Sequence, residues 1–320
     1  MLEDLKNFAD QFVWAPKIIN KKNYKPAKKI IVLGMGGSNH ATELLQAQTD
    51  LNIIAHRNYG LPKLSDKELK EFLIIADSYS GNTEEVIDGL KVALNKKLNI
   101  LVIATGGKLI KLAKTKNLAY IQIPGQGGQP RLGLGWQTRA LLKAVNLTQN
   151  LKETEVLAKS LKSIKYQNQG KKLASKLKNK IPVIYASDYN RPLAYNWKIK
   201  FNENTKIPAF YNVFPELNHN EMNGFDVINA TRKLSADFYF IFLEDKTDPP
   251  RVQKRMQITK KLYRSKKLPV ITLPLKNQSV WHKIFSNLIL ADWTSYYLAK
   301  NYGIDPEPVP MVEKFKKLIK

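Results

Sequence analysis

The chain has 320 residues, no cysteine, 43% hydrophobic residues, and 52 Lys+Arg against 27 Asp+Glu for a formal charge of +25. Without cysteine there is no thiol nucleophile, disulfide framework, thiolate-held iron–sulfur cluster or Cys-based zinc site. The length predicts two globular domains, 1–150 and 151–320, each long enough for its own core.

Residues 1–28 lack the apolar run of a signal peptide, and nowhere is there the roughly 18–20-residue run of a membrane span. A cytoplasmic protein without membrane contact is expected. Lysines are scattered, as at Lys21–Lys22, Lys96–Lys97, Lys171–Lys172, Lys260–Lys261 and Lys266–Lys267. Such spacing makes a solvated surface and no nucleic-acid stripe. Its field still favours small anions.

In chain order, Lys29–Leu33, Asn52–Ala55, Phe72–Ala76, Ile100–Ile103 and Ala119–Ile123 are nearly continuous apolar runs, as strands buried on both faces are. Helical segments are predicted between and after them, near Ala41–Gln48, Thr83–Asn95, Leu109–Lys116 and Gln137–Asn146. A long Lys-rich helix is then expected from about Lys152 to Lys178. The rhythm repeats with strands Pro182–Ala186, Ala209–Tyr211, Phe238–Phe242 and Leu268–Ile271, and helices Leu193–Asn202, Arg251–Arg264, Val280–Lys300 and Val309–Ile319. Alternation of this kind predicts an α/β protein of two doubly wound parallel-sheet sandwiches in tandem.

Three segments carry candidate chemistry in the first half. Gly34-Met35-Gly36-Gly37-Ser38 follows the first strand, where glycines let the backbone approach an anion at a helix N-terminus. A dinucleotide fingerprint would need Gly at Asn39, and a P-loop would need Gly-Lys-Ser/Thr at Asn39-His40-Ala41, so neither NAD nor ATP is supported. Ser78-Tyr79-Ser80-Gly81-Asn82-Thr83-Glu84-Glu85 follows another strand. An ordinary capping turn, with Asn82 or Thr83 as cap, accounts for one hydroxyl but not for three beside Gly81. Loops at adjacent parallel strand ends converge where open α/β sheets bind ligands. Pro124 to Gly135 is rich in glycine and holds a single charge, Arg131, suited to an anionic intermediate or else to a surface turn.

In the second half, Phe201-Asn202-Glu203-Asn204 ends a predicted helix, and Pro215-Glu216-Leu217-Asn218-His219-Asn220-Glu221 follows one strand later. Carboxylates, amides and one of only four histidines gather here, the material of general acid–base chemistry. Glu216, His219 and Glu221 have metal-ligand chemistry, but His40, His56 and His282 are too scattered to complete a cluster, and no metal is expected.

These pieces in this order resemble the bifunctional phosphoglucose/phosphomannose isomerase family, built from two sugar-isomerase (SIS) domains of flavodoxin-like topology. The resemblance spans nearly the whole chain, through Gly34–Ser38, Ser78–Glu85, Pro130–Gly135, Asn202–Asn204, Glu216–Glu221, Asp292–Leu298 and Gly303–Pro306. It implies that Gly37, Ser38, Ser78, Ser80 and Thr83 bind the phosphate of a hexose 6-phosphate. Glu203 resembles the base that moves a proton between the first two sugar carbons, and Arg131 the cation that stabilises the enediolate. His219 resembles the group that aids ring opening, reaching in from the neighbouring subunit of a homodimer. The site lysine aligns with Lys316, next to Lys317. No cofactor is implied. Asn39-His40-Ala41-Thr42 is bulkier than the family pattern, Trp136 stands for Tyr and Phe225 for Trp.

A non-catalytic sugar-phosphate sensor would need the hydroxyl loop but not Glu203, His219 and Arg131 together. An amino-sugar isomerase would normally be joined to a glutamine-hydrolysing partner, whose Cys nucleophile this chain cannot supply.

Overall fold

The computed structural model describes residues 1–125, 129–276 and 279–319. Contacts divide the chain into one unit of Leu2–Leu161 and a second of Lys162–Lys320 with Met1. In the first unit the apolar runs form a parallel five-stranded sheet of β1 (Lys29–Leu33), β2 (Asn52–His56), β3 (Leu73–Asp77), β4 (Asn99–Ala104) and β5 (Ala119–Gln122), ordered β2-β1-β3-β4-β5. The chain steps outward in opposite directions from β1 and β3, so their carboxyl ends open a crevice at the switch point. β3 is buried at every position, its terminal Asp77 included. Ile31, Ile74, Val102 and Leu90 belong to the core beneath the helices.

The second sheet repeats the plan with β6 (Ile181–Ser187), β7 (Phe210–Phe214), β8 (Phe238–Asp245) and β9 (Val270–Leu275), all parallel and ordered β7-β6-β8-β9. Its core is aromatic, with Tyr185, Phe214, Phe240, Phe242 and Tyr263 in one cluster. On the other side, helix Val280–Asn301 packs against helix Gln167–Leu177. Gly170 permits this approach, since a Cβ there would lie 2.6 Å from the Cβ of Trp293. No helix among the described residues is long and apolar enough to cross a membrane.

Two expectations are corrected. The helix after β1 begins at Gly36 and not near Ala41, with extended Met35 before it, so the weak helix formers Gly36 and Gly37 are its first turn. The Lys-rich stretch is not one helix but four short pieces, Thr148–Glu155, Leu157–Ser160, Ser163–Tyr166 and Gln167–Leu177. Leu157 and Leu161 are buried in the first unit while Leu173, Ala174 and Leu177 are buried in the second, and the backbone is extended at Leu161 and Lys162 between them. Separate cores on either side interrupt the helix. The first unit therefore runs on past residue 150 to Leu161.

Candidate active site

At the carboxyl end of β3, Ser78 and Thr83 bring their hydroxyls within 2.7 Å of each other. Thr83 occupies the N-cap position of helix Glu84–Asn95 without a side-chain capping bond, so its hydroxyl is turned into the loop. The first N–H groups of that helix are thereby left without a side-chain cap, in the field that favours an anion. Gly81 fixes the turn, with φ +68° and a position where a Cβ would lie 1.9 Å from the Gly106 carbonyl oxygen. Only glycine fits there. Ser80 is exposed, and its Oγ accepts the Asn82 N–H at 3.2 Å.

The helix Gly36–Gln48 likewise starts without a side-chain cap, and Gly36 takes φ +53°. The Arg131 turn lies against the helix start, where a Cβ on Gly37 would sit in ordinary contact, 3.4 Å from the Pro130 carbonyl oxygen and 3.6 Å from the Arg131 nitrogen. Arg131 is 6% exposed on the short turn Pro130–Leu132 and donates from Nη1 to Gln129 Oε1 at 3.1 Å. Gln11 braces the turn from behind. Its Nε2 donates to the Leu132 carbonyl at 2.7 Å, and its Oε1 accepts from the N–H groups of Gly135 and Trp136 at 2.9 and 3.3 Å. Gln126, Gly127 and Gly128 of the glycine-rich stretch lie outside the described residues.

Ser38 faces inward. Its Oγ accepts from the Tyr79 N–H at 3.0 Å and from Gln137 Nε2 at 2.5 Å. Both acceptor sites of the hydroxyl are then used, so it orders the loop around Tyr79. Asp77 and Gln137 were not among the expected site residues. A carboxylate closing a five-residue apolar run was the signal available for the first.

In the second unit, Glu203 sits in a π-helical turn, Phe201–Thr205, that extends helix Arg191–Lys200. Such wide turns recur at functional sites. The turn is fastened on both sides. Before it, Lys200 pairs with Asp292 at 2.6 Å, and after it Asn204 Nδ2 donates to Ser295 Oγ at 2.8 Å, both partners lying on helix Val280–Asn301. Lys206 then leaves with φ +55° and donates to the Asp305 carbonyl at 2.6 Å. Glu203 itself is half-buried.

His219 ends the short turn Glu216–His219 and is exposed. The turn is anchored by buried Leu217 and by Asn218, whose Nδ2 donates to Thr259 Oγ1 at 2.9 Å. Glu221 faces away into structural bonds, accepting from Tyr185 Oη at 2.5 Å and Asn212 Nδ2 at 2.6 Å. Among the described residues no group of three or more His, Asp or Glu side chains is arranged to hold a metal ion. Lys316 and Lys317 are exposed on helix Pro310–Leu318, which has no buried residue.

Two parallel α/β sheets in tandem, the first ending in a hydroxyl loop and uncapped helix starts, define a protein of the sugar-isomerase-domain class. The family model for the bacterial phospho-glucose isomerase C-terminal SIS domain matches residues 166–319. A bifunctional phosphoglucose/phosphomannose isomerase of Aquifex aeolicus is 32% identical over 99% of this chain and 97% of its own, and one of Caldicellulosiruptor bescii is 33% identical over 99% and 98%. The chain belongs to the bifunctional phosphoglucose/phosphomannose isomerase family. A D-glucosamine-6-phosphate 4-epimerase of Sulfolobus acidocaldarius is 27% identical over 92% of the chain and 90% of its own. The fold is also that of the C-terminal domain of glucosamine-fructose-6-phosphate aminotransferase from Francisella tularensis, with TM-score 0.68 and 15% identity over 96% of both chains.

Proposed function

We propose that the protein interconverts glucose 6-phosphate and mannose 6-phosphate with fructose 6-phosphate through an enediolate. The observation that carries this reading is the Glu203 turn, a carboxylate on a backbone fixed by bonds on either side within a chain of this family. A sensor has no use for a carboxylate held in that way.

Aldose–ketose isomerisation removes a weakly acidic proton beside a carbonyl and returns it one carbon away, so a single carboxylate serves as base and then as acid. Glu203 has that role. Arg131 offsets charge on the enediolate oxygens, which a fixed cation does best in a site shielded from water. Phosphate binding orients the open chain by remote contacts at Gly37, Ser38, Ser78, Ser80 and Thr83, with Ser38 acting through the Tyr79 backbone. His219 aids ring opening. Its exposure suits a group lent to a neighbouring copy in a homodimer, and Lys316 completes the set. The cytoplasm, where such substrates are kept, is the proposed location.

The test is a coupled assay from fructose 6-phosphate, with chelator present and the two aldose phosphates read separately. Formation of both is expected. Neither product, together with protection from heat by the sugar phosphate, would replace the isomerase by the sensor.

A further inference from the structure

Beneath the hydroxyl loop lies a carboxyl group that the proposed chemistry does not use. Asp77 is fully buried at the end of β3, one residue before Ser78. Gln137 Nε2 reaches its Oδ1 at 3.4 Å and Ser38 Oγ at 2.5 Å, and Ser38 in turn holds the Tyr79 N–H at 3.0 Å. We propose that Asp77 is a positioning residue of the phosphate cradle, ordering Gln137 and Ser38 and through them the Tyr79 backbone. The inference rests on the reading of that loop as an anion site.

The protonation state follows from the surroundings. Helix Gly36–Gln48 presents Ser38 to the carboxyl and helix Leu134–Ala144 presents Gln137, while burial is the largest influence on it. The ionisable groups on those helices are engaged elsewhere: Glu43 pairs with Arg57 and lies 3.8 Å from His40, and Arg139 bonds the carbonyls of Trp14 and Leu151. Lys143 is in the last turn, away from the sheet's carboxyl end. With no cation among the described residues compensating it, the carboxyl is pushed up to about 8 and is protonated at neutral pH.

A proton there has two effects. Asp77 Oδ2 and Gln137 Oε1 are both buried acceptors with no donor among the described residues, and protonation turns the carboxyl into a donor as well. It also removes a negative charge from directly below an anion site. Ionised Asp77 and bound phosphate therefore oppose each other, and by linkage phosphate binding takes up a proton in the pH range where Asp77 is ionised.

The experiment is calorimetric binding of sorbitol 6-phosphate, an open-chain sugar phosphate without a carbonyl to isomerise, to the full chain at pH 7 and pH 9. Two buffers of different ionisation enthalpy at pH 9 report proton uptake, and the ligand's own second phosphate proton, with a pKa of about 6, is already gone. Wild type is expected to bind roughly tenfold more weakly at pH 9, with proton uptake. Asp77→Asn should lose both the weakening and the uptake, and Asp77→Leu should bind weakly at both pH values, with KM raised more than kcat is lowered. Wild-type binding with Asp77→Leu equal to it, or Asp77→Asn still taking up the proton, would overturn the inference alone. The second criterion stands if the Leu variant does not fold. Absence of any wild-type binding would overturn the anion site, and the inference with it.

Discussion

Lys200 and Asp292 pair at 2.6 Å with each side chain only 2% exposed, three residues before the carboxylate of Glu203. A pair so deeply buried is costly to form, because both ions leave water. Its position explains its retention: it ties the last turn of helix Arg191–Lys200 to helix Val280–Asn301 just where the helix widens. Removing one partner leaves an uncompensated buried charge. Asp292→Asn should therefore cost about 3–5 kcal/mol in thermal or denaturant unfolding. Lys200→Met with Asp292→Leu should recover most of the stability, yet not the activity, because the Glu203 turn loses its register.

Glu203→Gln should lower kcat by roughly 10²–10⁴-fold while sugar-phosphate binding stays nearly intact, since it removes the proton carrier and almost no volume. Binding by calorimetry beside turnover separates the two. Turnover at the wild-type level would exclude Glu203 as the base.

Gly81→Ala places a Cβ 1.9 Å from the Gly106 carbonyl oxygen at a φ of +68°. The unfavourable backbone alone costs about 1–3 kcal/mol, and the clash forces the loop to move. Lower thermal stability and a raised KM are expected together. The raised KM follows because Gly81 lies in the turn between Ser78 and Thr83, whose hydroxyls are 2.7 Å apart.

If His219 serves the neighbouring copy, Glu203→Gln and His219→Ala should complement each other. A mixed dimer then has one site carrying both lesions and one carrying neither, so random mixing should restore about a quarter of wild-type activity. Mixtures no more active than their parents would place both groups in one chain's site.

The strand rhythm and both parallel sheets were legible because β-branched runs buried on two faces have few other readings. The hydroxyl loop was legible as well, since Ser78, Ser80 and Thr83 around Gly81 exceed what capping needs. The inward commitment of Ser38 was not. It depends on Gln137, distant in sequence, and pairings across the sheet leave no local pattern. The segments Asp292–Leu298 and Gly303–Pro306 entered by resemblance alone. In the structure, Asp292, Ser295 and the Asp305 carbonyl hold Lys200, Asn204 and Lys206 around Glu203. The broken Lys-rich helix was missed for a related reason, as periodicity cannot tell that two stretches of one apolar face belong to different cores.

Asp77 makes a further prediction about stability that needs no ligand. Its carboxyl has an ordinary pKa of 3.8 and is raised to about 8 in the fold, chiefly by burial. Below pH 4 the group is protonated in both folded and unfolded chains and has no effect on the balance. Between pH 4 and 8 the unfolded chain ionises while the folded one holds its proton, so the unfolded state is increasingly favoured as pH rises. Above pH 8 both forms are ionised and the loss is constant. Asp77→Asn removes this slope, since the amide is neutral throughout. Melting curves across pH 4–9 should show the variant gaining on wild type by at least a few degrees as pH rises to about 8, then holding its lead. A difference that does not change with pH would mean that Asp77 is ionised within the fold.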